Sequence, residues 1–242
     1  NGKLRKIKSP SKTSFLFEFY QLGQSYYLLL DLNLSSPNLR LTNDLVDSET
    51  SNFVIHLKKN LLNAQLNDIT QYKKDRILKF SFTVVDTFLG FVNRCWIFEV
   101  MGKSSNLILL DENDIIIDSY NNLFNEDKRS ILPKLQYAVF PQDKKDFIFK
   151  DLDYLSSPEE LFKNYMGFSK DLAKFVFNNK INIDLEPTNP TIYISNRTVF
   201  HAIDLKLTGD KKNFSTLSEL LNYYYALQPE TQNYLLEISI KE

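Results

Sequence analysis

The first half of the chain is a succession of short apolar and aromatic runs cut by turn residues, and this pattern constrains the fold most. "LRKIK", "SFLFEFYQ" and "SYYLLLDLNL" are rich in strand-forming side chains and are separated by Ser/Pro/Lys or Gly-containing turns, as in strands joined by short connections. Strands resume at "LNDITQY", "RILKFSFTVV", "RCWIFEV", "NLILLD" and "DIIIDSY", the last two joined through "DEND" as a hairpin. Between the two groups, "SETSNFVIHLKKNLLNA" breaks the alternation. Phe53, Leu57, Leu61 and Ala64 fall at helical spacing, with Ser48, Thr50, Ser51 and Asn52 as candidate caps, so a helix is expected to lie across the sheet. Residues 1–150 therefore read as an α+β domain with a mostly antiparallel sheet and packed helices.

Near residue 150 the character changes. "SSPEELFKNYMGFSKDLAKFVFNN" reads as two short helices around "MGFSK". Ser157 caps the first, with Pro158 at its first position and Glu160 completing a capping box. Gly167 is expected to end that helix and Ser169 to cap the next. The result is a helix–hairpin–helix unit, followed by short strands at "TIYIS" and "TVFHAIDLK", over residues 151–215. "STLSELLNYYYALQ" is an amphipathic closing helix, placed in a 216–242 segment that leads toward a coiled coil outside this sequence.

With 242 residues the chain has mass for one large domain or two small ones. No apolar run reaches the roughly 18–20 residues of a membrane span. The net charge of −1 excludes a strongly basic, non-specific nucleic-acid binder, so any RNA contact has to be a local patch. The single cysteine, Cys95, excludes an internal disulfide framework and favours a reducing, cytoplasmic setting. The chain opens "NGKLRKIKSP" without methionine and reads as a piece of a longer protein, so a missing signal peptide says little.

Enzyme signatures are weak, and no enzyme, cofactor, metal site or small-molecule substrate is expected. His56 and His201 lie far apart and neither has a metal-ligand partner at helical spacing. Cys95, between Arg94 and Trp96 in a strand, reads as a packed thiol. There is no phosphate-binding glycine loop and no nucleophile elbow. Two spots stand out. In "YKKDRILKF", Asp75 and Arg76 stand at a strand mouth, where a guanidinium fork and a carboxylate could meet a phosphate and a base edge, or could form an ordinary surface ion pair. At Gly102-Lys103-Ser104-Ser105-Asn106, one of only 6 glycines precedes a lysine and small polar residues. This is either a strand-to-strand turn or a backbone-and-lysine surface for a phosphate.

The order "NFVIHLKKNLLNAQLNDITQYKKDRILKFSF", "FEVMGKSSNLILLDENDIIIDSYNNL", "RSILPKLQYAVFPQ" resembles the N-terminal NFACT domain of the fibronectin-binding-protein-A-like family, called RqcH in bacteria and NEMF in animals. The Asp-Arg pair, the Glu-Val-Met-Gly-Lys block and the Arg129…Pro133…Tyr137…Pro141 tail carry the match, mostly between Phe53 and Pro141. "LFKNYMGFSKDLAKFVF" is similar to the helix–hairpin–helix that follows in that family.

The resemblance implies a fold similar to the N-terminal domain of formamidopyrimidine-DNA glycosylases, without their N-terminal proline chemistry. It also implies a role in ribosome-associated quality control: binding a stalled large ribosomal subunit, recruiting tRNA and supporting template-free alanine tailing of the nascent chain. Carried over, the RNA-facing residues are Asp75, Arg76, Glu99, Val100, Met101, Gly102 and Lys103. The sequence departs from the family in lacking the Met-led first helix, in "LVDSETSN" before the helix, and in Ser104 where a histidine is usual. A rival expectation is a surface adhesin for fibronectin or fibrinogen, which could bind by adding a strand to a sheet edge.

Overall fold

The computed structural model describes residues 2–43, 51–125, 129–141 and 143–227. The chain separates into two compact units, Asn1–Asp143 and Lys144–Glu242.

In the first unit nine strands form one antiparallel sheet: β1 (Lys3–Lys8), β2 (Ser14–Gln21), β3 (Gln24–Asp31), β4 (Asn38–Thr42), β5 (Gln65–Gln71), β6 (Ile77–Asp86), β7 (Gly90–Glu99), β8 (Asn106–Leu110) and β9 (Ile116–Ser119). Their order is β4-β3-β2-β1-β5-β6-β7-β8-β9, so two meanders meet along a seam between β1 and β5. The seam is thin. Its register is the single pair Lys3↔Gln65, supported by backbone hydrogen bonds Leu4–Ala64, Asn63–Leu4 and Leu66–Gly2.

The sheet curls so that its two halves face each other. The Phe17 ring of β2 lies 4.2 Å from that of Trp96 in β7, with Phe80 and Phe82 of β6 against the same indole. Helix α1 (Asn52–Leu61) closes this core with Val54, Leu57 and Leu61. Ser51 caps it by accepting from the Val54 N–H; Ser48 and Thr50 lie outside the described residues. A second apolar cluster sits on the opposite face of β6–β9. There Ile131 of the following segment packs on Ile77, Cys95, Ile97 and Ile108, with Met101, Tyr137 and Val139 at its margin.

In the second unit a 3-10 turn over Phe149–Tyr154 precedes α2 (Pro158–Asn164) and α3 (Lys170–Asn179), the expected helical pair, capped by Ser157 and Ser169. Helix α2 stops short of Gly167. The Met166 N–H is drawn out to the Lys145 carbonyl at 2.9 Å, which ends the helix and leaves Gly167 at φ +83° within the turn. The segment at 191–206 stays in this unit, as β10 (Thr191–Ile194) and β11 (Val199–His201), completed by β12 (Asp210–Asn213). Strand β11 is shorter than "TVFHAIDLK" suggests because Asp204 gathers the chain into a turn. Its carboxylate accepts from the Tyr193 hydroxyl, the Lys206 N–H and Lys211 Nζ. Helix α4 (Leu217–Ala226) then follows; residues 228–242 of the expected closing segment lie outside the described residues.

The Asp204 cluster makes stability depend on acid. Hydrogen bonds from Lys211 and Tyr193 hold its carboxyl down at about 2, below the unfolded value of about 4. Its contribution is present above the unfolded value and disappears as pH falls through the folded one. Asp204→Asn should therefore destabilise the second unit at neutral pH and flatten its loss of stability in acid. Thermal melts between about pH 6 and pH 2 test this; parallel curves for the two proteins would contradict it.

Candidate nucleic-acid interface

The β5–β6 turn is tight. The Tyr72 N–H donates to the Ile77 carbonyl and the Asp75 N–H to the Tyr72 carbonyl, while Gln71 Nε2 donates to the Asp75 carbonyl at 2.6 Å. Lys73 takes the left-handed conformation this reversal needs, at φ +50°. Strand β6 then starts with Ile77 opposite Glu99 at the end of β7, and the Val100 N–H donates to the Arg76 carbonyl at 2.9 Å. The Asp-Arg pair and the Glu99–Lys103 block thus share one end of the sheet, as the sequence suggested.

Beyond Val100 the backbone makes a 3-10 turn over Gly102–Ser104 before β8. Gly102 sits at φ +56°, where a Cβ would be strained although the space around it is open. Ser105 Oγ accepts from the Met101 N–H at 2.9 Å. Asn121 Nδ2 donates to the Ser105 carbonyl, and Asn106 Nδ2 to that of Asn121. The turn is thereby tied to the end of β9, with Lys103 exposed and Met101 packed inward.

The two carboxylates are not where an outward-facing pair would put them. Asp75 is 9% exposed, and its Oδ1 accepts from the backbone N–H of Arg76 at 2.7 Å. The short turn folds the carboxylate back on the chain instead of beside the guanidinium, so only Arg76 of the pair is exposed. Glu99 is 1% exposed. Arg129 Nη2 donates to both its oxygens, at 2.8 and 2.7 Å, and the Tyr137 hydroxyl donates to Oε1 at 2.7 Å. Burial, and then the Glu99 charge, push the Tyr137 hydroxyl well above the ordinary phenol range.

Of the residues carried over as RNA-facing, those exposed at this sheet end are therefore Arg76 and Lys103, with half-buried Gly102 beside them. Beneath them lies the Glu99–Arg129–Tyr137 cluster. Arg129 and Tyr137, which hold Glu99 here, appear in the sequence only as part of a motif tail; the Arg…Pro…Tyr…Pro spacing was the signal that could have found them.

His56 Nδ1 pairs with Asp118 Oδ2 at 2.5 Å on α1 and β9, whereas His201 lies in the second unit, its pKa lowered by burial. Cys95 is packed, its thiol pushed up to about 11 by burial.

A family model described as "NFACT N-terminal and middle domains" matches residues 1–186. Proteins named Rqc2 homolog RqcH are similar over most of the chain: 27% identical in Streptococcus suis, covering 93% of this chain and 44% of that protein, and 26% identical in Bacillus subtilis, covering 93% and 45%. The chain thus spans about half the length of the curated relatives it matches. Among solved structures, the N-terminal part of the fibronectin/fibrinogen-binding protein of Streptococcus suis superposes with a TM-score of 0.84 at 26% identity, covering 94% of this chain and 92% of that one. The fibrinogen binding protein of Staphylococcus aureus shares the fold, with a TM-score of 0.78 at 24% identity over 93% of this chain and 92% of that one. On the extent of the family match, over residues 1–186, and the agreement of the fold, this chain belongs to the NFACT N-terminal and middle domain family.

Proposed function

We propose that this chain is the RNA-facing part of a ribosome-associated quality control factor. It acts in the cytoplasm without catalysing a reaction itself, contacts tRNA on stalled large ribosomal subunits, and so supports template-free alanine tailing. The observation that carries this reading is the meeting of Arg76, Gly102 and Lys103 at one sheet end, on a base stiffened by the buried Glu99 cluster. A planar guanidinium and an ammonium suit phosphate oxygens and base edges. Asp75 and Glu99 act here as positioning groups, Asp75 on the Arg76 backbone and Glu99 through Arg129 and Tyr137.

Arg76→Ala in the full-length protein should cost about 1–3 kcal/mol of tRNA affinity. Its melting temperature should change little, because the guanidinium is exposed. Paired thermal melts and tRNA co-purification with ribosomal complexes check this. A variant that unfolds while its folded fraction binds tRNA normally would make Arg76 a structural residue and overturn the assignment.

Fibronectin or fibrinogen binding is a second reading, favoured by the names of the superposing structures. Immobilised fibronectin and fibrinogen, each tested against the wild type and Arg76→Ala, separate the two: matrix binding that is indifferent to Arg76 while tRNA is ignored would favour it. Among the described residues no helix is long and apolar enough to cross a membrane.

A further inference from the structure

The β6–β7 hairpin closes far from the β5–β6 turn. Strand β6 begins beside Arg76 and runs for 10 residues, so its other end lies about 30 Å from that site. The ladder there is regular, with Val84↔Val92, Val85↔Phe91 and Asp86↔Gly90, and a short loop over 87–89 joins the strands. Gly90 takes the left-handed conformation such a loop needs, at φ +77°. Asp86 Oδ1 accepts from the N–H groups of Phe88 and Leu89 at 2.8 and 2.9 Å, which fixes the turn.

Apolar side chains cover this tip. Val85, Phe88, Leu89 and Phe91 are between 71% and 94% exposed, while Val84 packs on the core. From Thr83 to Asn93 the only charge is Asp86, whose carboxylate is engaged by the loop. Thr83 and Asn93 pair on the face that carries Val85 and Phe91, and Asn67 Nδ2 donates to Thr83 Oγ1 at 2.8 Å. These three residues form a polar collar about 10 Å behind the loop.

Size, shape and backbone pairing pick out the occupant. Four side chains fall far short of the roughly 20–30 residues a side that a stable protein interface buries. Neither a second copy nor a folded partner is held by so small a tip. The end is convex and open, and a Cβ at Gly90 would meet nothing within 4 Å. Its backbone is paired down to Asp86↔Gly90, and the Asp86 carboxylate takes two of the loop N–H groups. That is the condition for entering hydrocarbon, where an unpaired polar group finds no water. An apolar end over a polar collar also suits the boundary of a bilayer, into which amphipathic elements sink about 5–10 Å.

We propose that the β6–β7 tip inserts into the surface of a lipid bilayer, with Phe88 and Leu89 leading and Thr83, Asn93 and Asn67 among the headgroups. The proposal is independent of the RNA-binding reading, because the two sites occupy opposite ends of β6.

The test is flotation of the full-length protein with phosphatidylcholine vesicles, with and without added phosphatidylglycerol. The wild type should float with both, since the tip carries no cation that would demand an anionic headgroup. Phe88→Ser should lower the partition coefficient about tenfold, and Phe88→Ser with Phe91→Ser should lower it further. Both variants should keep the wild-type melt, because the side chains removed are exposed. Should the double variant melt early, Phe88→Ser decides. Phe88→Trp should float as the wild type does and lose fluorescence to vesicles with brominated acyl chains, whereas the buried Trp96 of the wild type should not. Arg76→Ala should leave flotation in phosphatidylcholine unchanged. A wild type that stays unbound, binding that survives Phe88→Ser, or a Phe88→Trp signal untouched by brominated lipid overturns the inference. Self-association without lipid that Phe88→Ser abolishes, read by light scattering, would assign the tip to a second copy and overturn it as well.

Discussion

Arg129→Ala should destabilise the first unit by about 3–5 kcal/mol, because it strands the Glu99 carboxylate in the interior. The two side chains are 5% and 2% exposed and meet at 2.7 Å. Without the guanidinium, Glu99 keeps only the Tyr137 hydroxyl as a side-chain partner among the described residues. Its alternatives are to stay charged without compensation or to take up a proton, and both cost free energy. The pair is not an ideal fork: one nitrogen serves both oxygens, and Arg129 Nε is buried with no partner among the described residues. Removing both charges should therefore be far milder than removing one. Glu99→Met with Arg129→Leu should recover much of the lost stability, and the proposed RNA contact should still weaken because the sheet end loses its brace. Denaturant unfolding of the two single variants and the double variant forms the required cycle. A loss below about 1 kcal/mol for Arg129→Ala would mean that water reaches the pair in solution.

Trp96→Ala should be of similar size, about 3–5 kcal/mol. The indole is fully buried between the two halves of the curled sheet, with the rings of Phe17, Phe80 and Phe82 centred 4.2–5.1 Å away. No neighbour can refill the space without leaving its own strand register, so most of the cavity would persist. Trp96→Phe separates packing from polarity. The indole N–H has no partner among the described residues, so exchanging it for a phenyl ring removes an unsatisfied donor as well as volume, and the net loss should stay under about 2 kcal/mol. The wild type's fluorescence follows its own unfolding because Trp96 is the only tryptophan, and circular dichroism follows the variants. A Trp96→Ala protein as stable as the wild type would show that the halves do not pack as described.

The sequence was most legible where a local rule applied. Ser51, Ser157 and Ser169 announce α1, α2 and α3 through their caps, and "DEND" announces the β8–β9 hairpin. Strands β4 and β12 were missed for opposite reasons. Strand β4 is five residues following Pro37, too short for alternation to register, and "DKKN" of β12 is exposed throughout and exists because β10 offers it an edge. At the candidate site, the closeness of Arg76 to Val100 was foreseen through the family resemblance, which carries both over as RNA-facing residues. The inward turn of Asp75 was not, since adjacent charged residues carry no record of which one the turn will bury. The pairing of Glu99 with Arg129 and Tyr137 spans 30 and 38 residues of sequence, a distance over which no periodicity or cap applies.

The seam between β1 and β5 has a consequence for how the chain is made. The first four strands leave a ribosome with their partners β2, β3 and β4 adjacent in sequence, yet the outer edge of β1 has no neighbour until Gln65 has been synthesised. Until then the meander exposes a strand edge and the apolar side chains of Phe15, Phe17 and Leu30, both invitations to association with other chains. Closure is the non-local event of this unit and so its slow one. Changes that weaken only the seam contacts should then act mainly on the rate at which the unit opens, while changes inside either meander alter how fast it forms. A protein built this way is most vulnerable during its own synthesis.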